Sequence, residues 1–140
     1  MMPVLTNADI VREYHERVWV HDDITAIDEF WSPAASVAVT GFESSTLDAI
    51  REDVARYRGA FTDVDAHILD LIAEGDKVAL HWRTSGRHVG PYGSVAATGR
   101  VITMEGIDIF RVEDGLIISC QSLWDGLAVY EQLGVLQYPE

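Results

Sequence analysis

The chain has 140 residues, with 23 acidic residues, ten lysines and arginines, and a formal net charge of −13. Phosphate recognition needs clustered cations, so this charge argues against nucleic acid and anionic membrane surfaces as partners. A chain of this length forms one domain with a substantial core, and we treat residues 1–140 as a single domain. It has no apolar run of membrane-spanning length, no leader-like N-terminus and a single cysteine, Cys120, which together predict a cytoplasmic protein.

The first half of the chain has the apolar spacing of amphipathic helices. Thr6 and Asp9 have the spacing of a capping box, and Ile10 is the first of the apolar residues that recur at every fourth position. Pro33 ends the second helical run, because proline cannot continue a helix. The predicted elements are a helix over 6–20, a helix over 24–31, a strand over 36–42 and a helix over 45–61.

The second half changes to the two-residue period of β-strands. Short turn sequences at 74–77 and 113–115 separate neighbouring runs, which favours an antiparallel meander. The predicted strands cover 66–73, 77–88, 100–112 and 116–124, and a last helix covers 126–133. This order of elements predicts an α+β fold, with helices packed on one face of a curved antiparallel sheet.

One carboxylate, Asp108, lies among apolar residues of its own strand face. Alternate strand residues share a face, and Asp108 shares one with Met104 and Phe110. If this face looks inward, desolvation raises the pKa of the Asp108 carboxyl and suits it to carry protons at neutral pH. The alternative is that Ile107 and Ile109 form the inner set and Asp108 is solvated. We predict the inward arrangement and take Asp108 as the acid/base residue.

His88 is the second titratable candidate. The alternation of its strand places His88 on the same face as Trp82, unless Gly86 forms a bulge. It is then either a general base or a loop histidine bonded to the backbone. No group of His, Cys and carboxylate residues has the spacing of a metal site, so the sequence predicts no metal and no cofactor.

Asp125 stands where the last strand meets the last helix. Ile118, Cys120, Ser122 and Trp124 are predicted to share the inner face of that strand, and Asp125 does not belong to this set. An Asp directly before a helical run caps the helix by accepting a backbone N–H, which stabilises it by typically ~1 kcal/mol. Capping and direct chemistry both remain open for Asp125, and one carboxylate at the rim of a site could do both.

Several motifs resemble the SnoaL-like polyketide cyclases and ester cyclases of the NTF2-like superfamily. They are G-D-x-V and G-x-H-x-G around the second long strand, I-x-I-F-R-V-x-D-G-x-I at the next turn, and a closing W-D with Q-L-G. The resemblance covers residues 8–136. It implies a cone-shaped NTF2-like fold with the N-terminal helices packed on the concave face of the sheet, a deep hydrophobic pocket, no metal and a homodimer.

The resemblance also assigns catalytic positions, and the sequence departs from the family pattern there. The family's aldol cyclases use an Asp on the last strand, seven residues after the glycine of the D-G-x-I turn, assisted by a His on the preceding strand. Counting from Gly115 places Ser122 at that Asp and Asp108 at that His. Asp125 matches the W-D aspartate of the broader ester-cyclase pattern.

These observations predict a cofactor-independent cyclase or isomerase that acts on a hydrophobic, polyketide-like small molecule in specialised, antibiotic-type biosynthesis. Asp108 would move a proton, His88 or Asp125 would complete the shuttle, and ring closure would be acid/base or pericyclic. The alternatives are an epoxide-opening hydrolase or cyclase, which needs a second carboxylate such as Asp70 or Asp125, and a non-catalytic binding protein. The predicted substrate-binding residues are Tyr14, Trp31, Trp82, Met104, Phe110, Ser122 and Trp124.

The opposite face of the same strands predicts a partner. It carries Ile107, Ile109 and Leu123, a set too apolar for a free surface. We therefore expect a homodimer through the convex face of the sheet.

Overall fold

A computed structural model describes residues 4–39, 42–44 and 46–136, and it has the predicted α+β class. The helices are α1 (Asn7–His15), α2 (Thr25–Phe30), α3 (Leu47–Ala60) and α4 (Gly126–Leu133). The strands are β1 (Trp31–Val39), β2 (Phe42–Ser44), β3 (Phe61–Glu74), β4 (Lys77–His88), β5 (Val101–Glu113) and β6 (Leu116–Trp124). Residues 40, 41 and 45, which the predicted first strand and third helix include, lie outside this description. Within the described ranges, no helix has the length and apolar character that crossing a membrane requires.

The first predicted helix forms, but it changes type near its end. Thr6 and Asp9 make the capping box: Thr6 Oγ1 accepts from the Asp9 N–H, and the Thr6 N–H donates to the Asp9 carboxylate, both at 3.1 Å. After α1, residues Glu16–Val20 form a π-helix. Tyr14 and Val18, on either side of this change, are both buried.

The strands form one curved, unclosed sheet in the order β2-β1-β6-β5-β4-β3. Strands β3 to β6 make the predicted antiparallel meander. Strand β1 instead pairs with β6 in parallel. The predicted sheet was antiparallel throughout, so this pairing differs from the prediction. A parallel pair needs a long connection, and here the chain from β2 to β5 lies between the two strands.

Two strands begin earlier than the sequence pattern predicts. Strand β1 starts at Trp31 rather than at 36, and β3 starts at Phe61 rather than at 66, each directly after a helix. Both first residues have extended backbone, so helix passes into strand without a loop. Both are also buried, and a single buried apolar residue fits the helical and the strand period equally well.

The inner face of the meander carries the core, as predicted. The even-numbered residues of β5 face inward and the odd-numbered ones are exposed. Strand β4 alternates in the same way as far as His88, and its pairing with β5 passes Gly86 without a bulge. Helix α1 packs against β3, β4 and β6, and α3 packs against β1 and β3. The helices therefore cover the concave face of the sheet.

Strand β6 departs from strict alternation. Its register with β5 shifts between Arg111 and Val112, and Ile118 is the extra residue. Ile117 is fully buried, whereas Ile118 is partly exposed. The prediction that Ile118 belongs to the inner set is therefore wrong, because the bulge moves Ile117 into that place; from Cys120 onward the predicted alternation holds.

Candidate active site

Asp108 lies in the middle of the inner face, between two neighbouring strands. It is paired with Leu80 of β4 on one side and with Ser122 of β6 on the other. Ser122 Oγ donates a hydrogen bond to Asp108 Oδ1 at 2.6 Å. The two positions that the family resemblance singled out are therefore in direct contact, and the hydroxyl orients the carboxyl.

The surroundings of Asp108 shift its acidity towards neutral pH. Burial raises the pKa of the Asp108 carboxyl to about 6, while the Ser122 hydroxyl and the Trp82 indole both favour the ionised form and lower it. Asp108 is partly rather than fully buried. A carboxyl with this pKa holds and releases a proton near neutral pH, as a general acid or base must.

Three aromatic side chains pack edge to face beside this carboxyl. Tyr14 lies 5.5 Å from Trp31 and 6.0 Å from Phe110, between ring centroids, and Trp31 lies 6.1 Å from Phe110. All three are buried. Burial raises the pKa of the Tyr14 hydroxyl above its ordinary range, and the Asp108 carboxylate adds to that rise. Tyr14 is thus close enough to Asp108 for the carboxylate to disfavour ionisation of its hydroxyl.

Cys120, predicted on the inner face of the last strand but not as a site residue, also belongs to this group. It is buried and pairs with Phe110. Burial raises the pKa of its thiol, and the neighbouring Asp108 carboxylate raises it further, so the thiol stays neutral. The signal was available in the sequence, because Cys120 shares its strand face with Ser122.

Gly106 makes room for two indole rings on the inner face. It pairs with Trp82 on β4 and with Trp124 on β6. A Cβ at this position would lie 2.6 Å from Trp82 Cζ2 and 2.8 Å from Trp124 Cβ. Only glycine therefore lets the ring of Trp82 lie across β5 next to Asp108.

His88 is buried at the other end of β4. Its Nδ1 accepts from the Thr98 backbone N–H at 3.1 Å and contacts Thr98 Oγ1 at 3.0 Å. It lies eight positions from Leu80, the partner of Asp108, which is roughly 26 Å along an extended strand. The structure therefore does not bring His88 to Asp108. Met104 is buried in a second apolar cluster with Tyr57 and Phe61, and Trp82 and Trp124 pack against that cluster.

Asp125 caps α4. Its Oδ1 accepts from the Ala128 N–H at 3.0 Å, and its own N–H donates to the Glu105 carbonyl at 3.1 Å. The side chain is exposed and lies beyond the end of β6. Of the two roles left open for Asp125, the geometry supports the cap.

A surface groove of about 380 Å³ lies between α2, β1 and α3. It is not the hydrophobic pocket that the family resemblance implies, because Asp108 does not line it and charged side chains do. Trp31 is the residue that the groove shares with the aromatic cluster beside Asp108. The lining residues are Asp28, Trp31, Pro33, Thr46, Leu47, Asp48 and Arg51.

Comparison with known proteins identifies the family. The model of the SnoaL-like polyketide cyclases matches residues 9–133, and the chain belongs to this family, within the NTF2-like fold. No curated protein matches the chain. Among the residues described, no group of three or more His, Cys, Asp or Glu side chains is placed to hold a metal ion.

Several solved structures share the fold. A protein of Acidithiobacillus ferrooxidans provisionally named a polyketide cyclase has a TM-score of 0.81 at 27% identity, covering 95% of this chain and 98% of its own. TsrD of Streptomyces laurentii has a TM-score of 0.83 at 27% identity, covering 96% and 100%. AclR of Streptomyces galilaeus, provisionally named a hydroxylase, has a TM-score of 0.84 at 22% identity, covering 96% and 88%. The last of these shows the fold alone, and the differing names indicate that fold does not determine reaction.

Proposed function

We propose that this protein is a cyclase or isomerase that moves a proton at a carbon next to a carbonyl in a hydrophobic, polyketide-like small molecule. The observation that carries this proposal is Asp108, an inward-facing carboxyl with its pKa raised to about 6 and one oxygen held by Ser122. The family of polyketide cyclases supports the substrate class. A place in specialised, antibiotic-type biosynthesis is part of the same proposal.

In the mechanism, ionised Asp108 takes the proton from the carbon and leaves an enolate. For an aldol ring closure, the enolate carbon then attacks a second carbonyl carbon of the same molecule. The new alkoxide takes the proton back from Asp108, so the carboxylate is regenerated and no atom is lost. Ser122 keeps the free oxygen of Asp108 pointed at the substrate throughout.

Two partners that the sequence suggested for Asp108 have no part in this proposal. His88 is held by Thr98 at the far end of β4, and Asp125 is exposed and caps α4. The catalytic pair is therefore Asp108 with Ser122, and aromatic side chains, Tyr14 and Trp82 among them, surround the substrate.

Opening an epoxide with water is less well supported. That reaction needs a second carboxylate close to Asp108 to activate the water. The two candidates, Asp70 on β3 and Asp125, are both exposed. Neither contributes to the raised pKa of Asp108, as a nearby carboxylate would.

The proposal can be tested without knowing the natural substrate. The probe is 2-tetralone, an apolar bicyclic ketone, whose exchange of α-protons for deuterium is followed by NMR. We expect the wild type to accelerate exchange, with a rate that rises through about pH 6, and we expect Asp108→Asn to lose roughly 100-fold or more. Asp125→Asn is the matched control and should keep the wild-type rate.

Two outcomes would contradict the proposal. An Asp108→Asn rate close to that of the wild type would show that the carboxyl does not transfer the proton. A wild type that binds 2-tetralone but leaves its exchange at the uncatalysed rate would indicate a non-catalytic binding protein.

A further inference from the structure

We infer that His88 is a positioning residue: its ring holds the β4–β5 loop, residues 89–100, in place, and this loop limits how large a substrate the site of Asp108 accepts. The inference rests on the proposed function, because it concerns the extent of that same site. It gives a role to the G-x-H-x-G motif, residues 86–90, which the proposed mechanism does not use.

The last residues of the β4–β5 loop are bonded to His88. Its Nδ1 accepts from the Thr98 N–H at 3.1 Å, and its backbone N–H and C=O pair with the Arg100 carbonyl and the Gly99 N–H, both at 2.8 Å. Thr98 Oγ1 lies 3.0 Å from the same ring nitrogen and accepts from the Arg100 N–H at 3.2 Å. The imidazole thus ties an exposed loop residue to the buried end of β4.

The first residues of the loop are fixed against the junction of α3 and β3. The N–H groups of Val89 and Gly90 both donate to the Ala60 carbonyl, at 2.9 and 3.1 Å. The approach at Gly90 is so close that a Cβ there would lie 2.1 Å from the Gly59 carbonyl oxygen, so the motif needs glycine at this position. Both ends of the loop are therefore fixed, one through its backbone and the other through His88.

The contact with Thr98 also sets the tautomer of His88. A backbone N–H only donates, so Nδ1 must keep its lone pair, and the proton of the neutral ring is on Nε2. Nε2 is buried and has no hydrogen-bond partner among the residues that the structure describes. Because the one basic nitrogen of the ring is already used by Thr98, His88 has no free lone pair with which to act as a general base.

The middle of the loop is a compact tip that carries Tyr92. Tyr92 and Val95 exchange two backbone hydrogen bonds, each 2.9 Å long. The Tyr92 ring lies 5.7 Å from the ring of Phe61 on β3 and 6.0 Å from that of Tyr130 on α4, between centroids. The tip therefore contacts both β3 and α4.

The tip and the site of Asp108 share the second apolar cluster. Tyr92 packs against this cluster from the loop, and Trp82 and Trp124 pack against it from the inner face of the sheet. These two tryptophans pair with Gly106, which lies two residues from Asp108 on the same face of β5. A tyrosine held at this end of the cluster therefore limits the space for a ligand that extends from Asp108 past the two indoles.

The test combines amide exchange with the binding of two ketones, 2-tetralone and a benzo-fused 2-tetralone that carries one more ring. His88→Leu removes the acceptor, His88→Asn keeps one near the place of Nδ1, and His21→Leu changes an exposed histidine as the control. We expect the Thr98 amide to exchange roughly tenfold or more faster in His88→Leu than in the wild type, and at nearly the wild-type rate in the other two variants. The amides of β5 beside Asp108 should keep their rates in all variants, which separates release of the loop from loss of the fold.

Release of the loop should also change the preference for ligands. The ratio of the two affinities, measured by calorimetry, should move about tenfold towards the larger ketone in His88→Leu and in Tyr92→Ala, which removes the ring at the tip. This ratio should stay at the wild-type value in His88→Asn and His21→Leu. The rate of 2-tetralone proton exchange should still rise through about pH 6 in every variant, because this profile reports Asp108 and not His88.

Wild-type exchange of the Thr98 amide in His88→Leu would overturn the inference, and so would an unchanged affinity ratio in Tyr92→Ala. If His88→Leu does not fold, nitrogen NMR of the wild type still tests the contact, because a proton on Nδ1 of His88 is incompatible with the bond from Thr98. The amide and binding measurements need no turnover, so a wild type that does not accelerate exchange of 2-tetralone contradicts only the proposed function. A loop that is not released contradicts only this inference, and a wild type that binds neither ketone contradicts both.

Discussion

At the scale of single residues, Asp108 is governed by two opposing effects. Burial penalises its ionised form, while Ser122 and Trp82 favour that form, and the result is a pKa of about 6 against an ordinary 3.8. A group whose pKa is higher in the folded than in the unfolded state favours folding at low pH, where it is protonated in both states. This contribution to the free energy of unfolding is lost as the pH rises through the pKa of the folded state. Asp108 therefore lowers the stability of the fold above about pH 6, as expected of a site residue kept for its chemistry.

The first prediction concerns Ser122→Asp, which places a second carboxyl opposite Asp108. Two close carboxylates cannot both ionise without a large penalty, so the pair should hold one proton well above the ordinary carboxyl pKa. Because the pKa of the pair is raised, the repulsion destabilises the folded state at pH 8. This destabilisation declines towards pH 5, as the pair takes up a proton. The variant should melt below the wild type at pH 8, with a smaller difference at pH 5.

Ser119→Asp is the control for this experiment. Ser119 lies on the same strand but pairs with Arg111, away from Asp108, so its carboxylate should not be destabilising at pH 8. If the melting difference caused by Ser122→Asp were the same at both pH values, the assignment of Ser122 and Asp108 to one site would be wrong.

At the scale of elements, α4 is defined by its two ends. Asp125 caps its start, and Gly134 ends it with a φ of 79°, a left-handed conformation that favours glycine. The N–H of Asp125 also bonds to Glu105 of β5, which ties the helix to the sheet. The carboxylate at this position is thus explained by helix stability.

The second prediction follows from this capping role. Asp125→Ala should lower the free energy of unfolding by about 1 kcal/mol, because one helix N–H loses its acceptor, and the exchange rate of 2-tetralone should stay within about twofold of the wild type. Urea unfolding and the NMR assay measure the two effects. Asp125→Ser, which can still cap, should recover most of the stability; a large loss of exchange in a variant of wild-type stability would instead assign chemistry to Asp125.

At the scale of the whole molecule, the outer face of the sheet is the unusual surface. Ile107, Ile109 and Leu123 are 44%, 40% and 50% exposed on adjacent strands β5 and β6. Arg83 and Glu105 lie on the same face, 3.5 Å apart. In a two-fold contact the same patch of both copies meets, so an apolar patch on one copy covers the same patch on the other. We propose that a second copy of the chain covers it.

The third prediction is that the protein is a dimer of twice the 15.5 kDa chain mass at micromolar concentration. Ile107→Glu should shift it to the monomer, because a charge would then be buried without a partner. Leu127→Glu changes a residue that is 63% exposed on α4 and should leave the dimer intact. Light scattering that gives the monomer mass for the wild type would contradict the proposed interface.

The sequence by itself was sufficient for the fold class and for the inner face of the meander. Strand alternation is a local property, so the inward placement of Asp108 beside Phe110 could be derived from residue types alone. The capping box at Thr6 and the cap at Asp125 were predictable for the same reason, since each depends on residues three positions apart. The family resemblance aligned Asp108 with Ser122 by counting along a continuous hairpin.

Only the tertiary structure decided the features that depend on contacts between distant segments. The parallel pairing of β1 with β6 and the bulge at Ile118 depend on which edges meet, and no local pattern encodes that. The separation of His88 from Asp108 is a matter of position along β4, because alternation assigns a face but not a distance. The close approach of the Trp82 ring to Gly106 appeared only when β4 and β5 were placed side by side, because contacts between side chains of different strands are properties of the packed chain.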